Sequence, residues 1–598
     1  MWLGMTFLGL SVQVWIIIFI TLGMFYMLVR TRVPAEVIFL GAVTILLVTN
    51  VVSENNVLDA FGSEAILVNG AFYIVIAGLM TSGVLYWIGK HLLGTPSTYR
   101  RAVVKLMVPV SVLSAMLGCE NAVSLFTEMV KMWARKLGIS PAKLLIPLSY
   151  AATFGGMCTL LGQSSNLIIA GLYIDLTGTP MNLFAPVIPG LACTLVGIAF
   201  MTVLRRFLPD RESPEVSFEN ISDYTVELLV PTDNDAVAQT VHEAGLKEVR
   251  GGSLIEIVRF DKEVISPVSD DEYIFGGDRL IYSGQINEIL ELKQSHGLVA
   301  ADHHVYNISE IDNNRKLRTA YVNFGSDLIG TCMSKSSFER RNDMVLVAVA
   351  RQGKRVDQQP REVVLAAGDT LLLECPPKKD SEIENNFKRS LTFFDSQFIP
   401  QLGPHTIISA AILIIMFILS SFKVMSLLTC TMVAAGASLI FRCCRMTKIV
   451  KYIDWNFLLV LGSLVVFSTA ITNTGVVTRI ADVILNLCNN NPYIIITVMC
   501  VIASLASEFT SNVAMGAVFF PIVYQQALLL GCNPMPFVIA IMTAVSISYC
   551  TPIGSSTIMM IYGPGGFKFT DFWRIGIWMH LLMLIVDLVA IFLFFPLY

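Results

Sequence analysis

The stretch "SEFTSN" (507–512) decides how this chain is read. One apolar arm, "PYIIITVMCVIASLA" (492–506), runs up to it, and a second, "VAMGAVFFPIVYQQALLLG" (513–531), runs away from it. Two hydrophobic arms with six residues between them, five of them polar, describe a hairpin whose tip delivers hydroxyls, a carboxylate and an amide into an apolar medium. The rest of the chain supplies that medium. Of 598 residues 54% are hydrophobic and only 14% charged, with a mean hydropathy of +0.67, where soluble domains carry roughly 25% charged residues. Several windows of about 18–23 apolar residues match the roughly 20 that a helix needs to cross a bilayer core of about 30 Å. The first, "VQVWIIIFITLGMFYMLV" (12–29), has no basic segment before it and no small-residue cleavage site after it, so it reads as a span and not a signal peptide. A net charge of −4 gives no footprint for nucleic acid. The twelve cysteines form no CxxC or Cys/His cluster. No nucleophile–base pair or phosphate-binding Gly loop is present, so neither an enzyme nor an organic cofactor is expected.

Residues 206–400 break the apolar pattern. They are rich in charge and hold no spanning segment, dividing the chain into a first membrane half (1–205), an insert (206–400) and a second membrane half (401–598). The insert repeats itself. "RGGSLIEIVRF" (250–260) aligns with "RNDMVLVAVAR" (341–351), and "GGDRLIYSG" (276–284) with "AGDTLLLEC" (367–375), at an offset of 91 (341 − 250 and 369 − 278). Each unit reads as an alternating strand, a polar turn, then Gly-Asp leading into a second apolar strand. Asp after Gly holds a tight turn through its own side chain, so Asp278 and Asp369 are read as structural. These stretches resemble tandem TrkA-C (RCK-C) domains over about 224–297 and 316–385. The resemblance implies small α+β modules that pair with each other and in some members bind a regulatory ligand.

Lys and Arg are retained on the cytoplasmic side of spans. Arg30 and Arg32 therefore place the end of the first span inside and the N-terminus outside. A second span (about 34–52) leads to "SENNVLDAFGSEA" (53–65), free of Lys and Arg and so outside; a third (about 67–89) returns to Lys90, Arg100, Arg101 and Lys105. The apolar arm "VVKLMVPVSVLSAML" (103–117) covers only about 22 Å at about 1.5 Å per residue. The next arm (121–134) ends near Lys131, Arg135 and Lys136 on the same side, which makes a re-entrant hairpin. Spans at about 143–173 and 181–204 then reach Arg205-Arg206, so the insert is cytoplasmic. After it 403–421, 425–441 and 455–472 cross in turn, the arms around "SEFTSN" form a second hairpin entering from outside, and spans at about 535–562 and 575–596 complete the chain. Three spans, a hairpin and two spans thus occur twice from opposite starting sides. The fold class is an α-helical polytopic membrane protein built as an inverted repeat, with a cytoplasmic α+β insert.

Individual residues repeat too. Ser114 aligns with Ser507, Gly138 with Gly531 and Pro141 with Pro534 at an offset of 393 (507 − 114), and Cys158 with Cys550 at 392 (550 − 158). Each hairpin is followed by a span broken by small and polar residues, "TFGGMCTLLGQSSN" (153–166) and "SISYCTPIGSST" (546–557). Paired Gly and Thr-Pro interrupt a helix, and unwound backbone at membrane depth is tolerated only where it is buried or lines a cavity. Freed N–H groups at half-helix N-termini favour anions; freed carbonyls suit a hard cation such as Na+. Tips and breaks together read as a delivered site for both.

Both membrane halves, about 10–205 and 400–598, resemble the divalent anion/sodium symporter (DASS, solute-carrier-13-like) permeases, closest to a subgroup with two TrkA-C domains in the central loop. The resemblance implies a homodimer in the cell membrane, a scaffold and a mobile transport domain, and elevator-type movement of a sulfate-like or dicarboxylate anion with Na+. It also assigns residues. Ser511-Asn512-Val513 stands at the family's Ser/Asn-Asn-Thr triad with Val replacing Thr. Thr551, Pro552 and Ser555 lie in the matching break "TPIGSS", and Ser507, Thr510, Asn512 and Gly554 fall at sodium positions. "YGPGGF" (562–567) is a further signature, whereas Ile558 stands where Asn often follows. In the first half a gap-free alignment puts Gly118-Cys119-Glu120 in the triad, losing its amide and hydroxyl. A two-residue shift recovers Asn121 but breaks the 393 register. Glu120, Asn121, Ser165 and Asn166 complete the substrate candidates, and Ser114, Cys119 and Gly162 the sodium candidates.

A carboxylate at membrane depth is costly and by default functional. Glu120 takes up a proton or cation in place of a sodium site, repels a dianion, or rests in headgroup water or against a base such as Lys131. Glu508 meets the same test and is read as structural, since family members often carry an acid beside this tip. No Arg lies in either tip, so anion binding rests on dipoles and neutral donors. Alternatives to a Na+ symporter are a proton-coupled carrier using Glu120, a sensor that binds an anion without moving it, and a gated channel, which lacks a TVGYG-like filter. The "NIS" sequons at Asn220 and Asn307 fall on the cytoplasmic side and stay unglycosylated in this reading.

Overall fold

The computed structural model describes residues 6–7, 10–30, 35–82, 93–94, 96, 98–204, 207–210, 225–249, 252–259, 263–266, 268–284, 296–300, 316–323, 326–332, 344–351, 354–356, 358, 360–375, 390–394, 404–444, 449 and 453–597. Helices occupy both ends of the chain, and its middle is built from strands. The first half runs α1 (Val12–Arg30), α2 (Ala35–Val48), α3 (Glu54–Phe61), α4 (Glu64–Thr81), α5 (Tyr99–Leu117), α6 (Cys119–Lys136), α7 (Ala142–Gly156), α8 (Ser164–Thr177) and α9 (Val187–Leu204). The second runs α10 (Pro404–Ser421), α11 (Leu427–Ile440), α12 (Trp455–Asn473), α13 (Val476–Leu487), α14 (Pro492–Ser507), α15 (Asn512–Leu529), α16 (Pro534–Ala544), α17 (Ser556–Tyr562) and α18 (Phe569–Phe594). The order α5 to α9 recurs in α14 to α18, and the halves interlock: α8 packs on α15, α9 on α18, and α17 on α6 and α7.

Local chemistry sets the boundaries. Asn491 and Asn533 cap α14 and α16 through Tyr493 N and Met535 N at 3.0 Å each, with Pro492 and Pro534 at the first helical position, where the missing N–H costs nothing. Gly118 at φ +90° lets α5 turn into α6 within one residue, a conformation open to glycine. Among the described residues five helical stretches are long and apolar enough to cross a membrane: 54–80, 187–204, 455–473, 512–529 and 569–594. A sixth comes from α13 and α14 if that pair, bent by 116°, is one span.

Several spans differ from the sequence reading. The expected spans 143–173 and 535–562 each split, into α7 and α8 and into α16 and α17: α7 runs through Gly155-Gly156 and stops before 157–163, and α16 stops at Ala544, leaving 545–555 with Thr551-Pro552 outside any helix. The loop expected at 53–65 contains α3, capped by Ser53. Helix α13 was not expected at all. It is amphipathic, burying Val476, Val477, Ala481 and Leu485, and Arg479 and Asp482 interrupt the continuous apolar run by which spans were counted. The third expected span, 67–89, is helical to Thr81, and its last residues, 83–89, lie outside the described residues.

The middle of the chain holds two antiparallel sheets. The first has order β4 (Glu248–Val249), β5 (Gly252–Arg259), β7 (Arg279–Gly284), β3 (Thr225–Leu229), β8 (Val299–Ala300), with β6 (Glu263–Ile265) also on β5. The second has order β11 (Lys354–Arg355), β10 (Val345–Arg351), β12 (Thr370–Cys375), β9 (Lys316–Val322), β13 (Leu391–Phe394). Strands β1 (Thr6–Phe7) and β2 (Leu10–Ser11) form a separate pair. The offset between units is not constant. Tyr282 and Leu373 correspond at 91, but their partners Leu254 and Leu346 correspond at 92. Strands β5 and β10 carry equivalent bulges at Ile255 and Val347, and the change lies in the connection that follows, where Arg259 and Asp278 are 19 residues apart but Arg351 and Asp369 only 18. The two sheets meet through Ile255, Val258 and Ile281 against Val345, Val347, Ala348 and Leu372.

The Gly-Asp turns do structural work. Asp278 accepts Phe275 N at 2.9 Å and both Nε and Nη2 of Arg259 at 3.2 Å. Asp369 accepts Ala366 N at 2.8 Å and Nε and Nη2 of Arg351 at 2.7 Å. The Asp369 hydrogen bonds push the Arg351 guanidinium further above its usual range. Both aspartates are buried, and removing Asp278 takes the two-point partner from the Arg259 guanidinium, leaving it Glu272 at 3.3 Å and Tyr273 O at 2.7 Å. Asp278→Ala is expected to destabilise the insert by about 3 kcal/mol, read as faster limited proteolysis within 225–300 in the full-length protein. Unchanged cleavage would show that the turn stands without its clamp.

Candidate functional site

The two tips close with the same local device. Thr159 Oγ1 donates to Ala115 O at 2.6 Å and accepts Gly162 N at 3.0 Å. In the second half Thr551 Oγ1 donates to Glu508 O and accepts Gly554 N at 3.1 Å. Each threonine thus pins its break to the end of the hairpin's first arm, α5 or α14, while holding its own turn. Glycine makes the close approach possible. A Cβ on Gly162 would lie 2.4 Å from Gly156 O, and one on Gly554 would lie 2.2 Å from Ser507 O. Gly162→Ala is therefore expected to cost about 2–3 kcal/mol through overpacking, seen as loss of monodisperse protein after detergent extraction. Wild-type behaviour would mean that the break relaxes freely.

The second tip is clamped further by Glu508. Its carboxylate accepts Tyr549 N at 2.8 Å, Cys550 N at 3.1 Å and Thr551 N at 3.0 Å, and His580 Nδ1 of α18 stands 2.9 Å away. Glu508, Cys550 and His580 place their ligand atoms within 4.8 Å of one another, all buried. With its oxygens already taken by three N–H groups and an imidazole, Glu508 acts here as a clamp.

Between the tips lies a cavity of about 160 Å³, lined by Cys119 and Glu120, by Gln163 to Ser165, by Ser511 to Val513 and by Ile553 to Thr557, with Thr153 and Met559. Four helices begin at it: α6 at Cys119, α8 at Ser164, α15 at Asn512 and α17 at Ser556. Helix N-termini carry unsatisfied N–H groups and about half a positive charge each. Among the described residues no Lys or Arg lines the cavity. The Asn512 amide is best satisfied donating to Val545 O at 3.2 Å and Gly554 O at 3.1 Å while accepting Ser548 Oγ at 3.2 Å. Ser165 Oγ approaches Ser546 Oγ at 3.3 Å, and Ser555 Oγ approaches Thr557 Oγ1 at 2.9 Å, so hydroxyls of both halves meet there.

Of the expected substrate residues, Glu120, Ser165, Ser511, Asn512, Val513 and Ser555 line this cavity, as do the expected sodium residues Cys119 and Gly554. The others do not. Asn121 donates to Leu117 O at 2.8 Å and faces a second cavity. Asn166 is buried and donates to Thr159 O at 2.9 Å. Thr551 is occupied by its turn, and Pro552 is buried in the break. Ser114 donates to Ala152 O, Ser507 to Ser504 O at 2.8 Å and Thr510 to Ala506 O at 3.3 Å; Gly162 O accepts Cys119 N at 3.0 Å. The helix starts at Cys119 and Asn512 preserve the 393 register, so Glu120 occupies the place of Val513, and the shifted alignment through Asn121 does not hold. Glu120 is not paired with Lys131, which lies under the Tyr321 ring. Its carboxylate accepts Ser556 Oγ at 2.7 Å.

Sequence reasoning missed Gln163, Ser164, Ser556, Thr557 and His580. Ser164 and Ser556 each stand beside a residue that was chosen, and the start of a helix after a break was the available signal. For His580 the signal was a titratable residue within an apolar helix of 26 residues.

An uncharacterized transporter of Synechocystis sp. is 28% identical to the chain over 567 residues, covering 92% of each protein. Sodium/sulfate cotransporter 1 of Chlamydomonas reinhardtii is 30% identical over 359 residues, 55% of this chain and 40% of that protein. A sodium-dependent dicarboxylate transporter of Staphylococcus saprophyticus is 20% identical over 149 residues, 25% of this chain and 29% of that protein. The citrate transporter family (CitMHS) matches residues 24–417 and 411–598. With nearly the whole length matched and apolar helices in both halves, this multi-pass membrane protein belongs to the citrate transporter family.

Proposed function

We propose that the chain is a secondary active symporter that carries a small anion, sulfate-like or dicarboxylate, together with Na+. The observation that carries this reading is the convergence of four helix N-termini and neutral donors on one cavity whose described lining residues include no Lys or Arg. Such a site attracts an anion through dipoles and hydrogen bonds, with modest affinity that suits release. Names among the relatives, a sodium/sulfate cotransporter and a sodium-dependent dicarboxylate transporter, support the substrate class and the coupling ion. Na+ finds hard oxygens beside the cavity: hydroxyls at Ser114, Ser507 and Thr510 that donate to carbonyls keep acceptor lone pairs. In this reading α5–α6 and α14–α15 are re-entrant hairpins of an inverted repeat, and transport is an elevator motion of a homodimer in the cell membrane. The insert is cytoplasmic, and its TrkA-C-like units regulate the cycle.

Glu120 favours a second reading, in which a proton replaces Na+. Its carboxyl group already occupies the N-terminal ends that the substrate needs. Uptake of radiolabelled sulfate and succinate into proteoliposomes under an imposed Na+ or H+ gradient separates the two. Uptake driven by Na+ supports the first reading, and uptake driven by H+ alone supports the second. The absence of uptake under both gradients would sink both and leave a sensor.

A further inference from the structure

The cavity between the tips is not the only space that Glu120 reaches. A larger one, of about 500 Å³, lies on the other side of the first tip and is lined by Leu117, Gly118, Cys119, Glu120 and Asn121. Part of its wall does not come from the membrane halves. Leu391 and Phe393, both on strand β13, line it as well. Strand β13 is the edge of the second sheet, paired along β9 with Leu391 opposite Val322 and Phe393 opposite Ala320. The Phe393 ring is held from behind, with Arg318 Cζ of β9 at 4.9 Å from its centroid.

The same sheet is seated on the membrane half by two reciprocal ring-on-glycine contacts. Tyr321 of β9 lies over Gly563, where a Cβ would come within 2.8 Å of the ring. Tyr562 lies over Gly368 of the second Gly-Asp turn, where a Cβ would come within 2.5 Å. Tyr562 is in turn stacked on Phe572 of α18 at 6.0 Å. Lys131 of α6, buried, lies 6.0 Å from the centroid of Tyr321. The sheet therefore rests on α6 and on the "YGPGGF" segment after α17, while its neighbouring strand walls the cavity that leads to Glu120. Because β9 and β13 are hydrogen-bonded neighbours, the seat and the wall move together.

We propose that the second sheet of the insert is an intramolecular gate: docked through Tyr321 and Gly368 it closes the larger cavity with Phe393, and undocked it opens a path to Cys119 and Glu120. The inference goes beyond the symport reading and does not rest on it, since what it specifies is access to the first tip.

Cys119 lies on that path and lines both cavities, so it reports access without any transported substrate. The full-length protein in proteoliposomes with the insert facing outward is exposed to a membrane-impermeant methanethiosulfonate. The rate of modification is read by mass spectrometry of the Cys119 peptide. Two variants act on different parts of the gate. Phe393→Ala removes the ring from the wall, and Gly563→Ala drives a methyl group into the Tyr321 ring without removing any cavity-lining group. Loss of the ring in one variant and the methyl clash in the other should each speed Cys119 modification by up to about tenfold. Acceleration in both supports the gate. Acceleration in Phe393→Ala alone would show local shielding by one ring and overturn the gate, as would rates in both variants equal to that of the unaltered protein. Matching thermal unfolding of the two variants and the unaltered protein shows that the insert has stayed folded.

Discussion

Asn512→Ala is expected to reduce gradient-driven anion uptake by about 100-fold while leaving the protein folded. The amide joins three groups, the carbonyls of Val545 and Gly554 and the hydroxyl of Ser548, and it does so at the first residue of α15, on the wall of the cavity. Removing it forfeits neutral hydrogen bonds of about 1 kcal/mol each and leaves carbonyls short of a donor at about 1–3 kcal/mol. A loss near 3 kcal/mol at the site corresponds to about two orders of magnitude. The effect is directional. Asn512→Asp keeps an acceptor toward Ser548 but turns two donors into a second carboxylate facing carbonyl oxygens, so it should transport no better than the alanine variant. Initial uptake rates under the gradient that drives the unaltered protein provide the measurement. Rates within threefold of the unaltered protein for Asn512→Ala would remove the second tip from the transport site.

Much of this geometry was legible because local periodicity and repetition expose it. The arms on either side of "SEFTSN" and the two broken stretches are short-range signals, and the 393 offset placed Cys119 opposite Asn512, where the two helices indeed begin. The same offset ranked Glu120 above Asn121 for the cavity. What stayed hidden depends on pairs far apart in sequence. Ser556 reaches Glu120 across 436 residues, and His580 reaches Glu508 across 72; no period in the chain announces either contact. Residue type also left the orientation of the sodium candidates unread: Ser114, Ser507 and Thr510 donate to helix carbonyls one turn back or on a neighbouring helix and so keep acceptor lone pairs. In the insert, the repeat was readable but its register was not: the connection from the Arg to the Gly-Asp turn is one residue shorter in the second unit, and a polar connection has no apolar alternation to reveal this.

Glu508→Gln is expected to be the most damaging of these substitutions to stability, at about 5 kcal/mol, the upper end for breaking a buried charged hydrogen-bonded group. The reason lies in donor counting. The carboxylate is acceptor-only, and it faces the N–H groups of Tyr549, Cys550 and Thr551 together with His580 Nδ1. Glutamine keeps one acceptor oxygen and turns two donor hydrogens toward N–H groups that are themselves donors. At least one backbone N–H at the second break then loses its partner in a region closed to water, since Tyr549 and Thr551 are buried. His580→Gln removes only one of these contacts and should cost about 1–2 kcal/mol. Comparing the two by unfolding of purified protein in a denaturing-detergent titration tests the ordering. If Glu508→Gln unfolds with the unaltered protein, the carboxylate does not hold the break, and its place at membrane depth would need a role in the transport cycle. If Glu508→Gln and His580→Gln are equally damaging, the Glu508–His580 contact is the element that holds the break, and the three N–H groups contribute little.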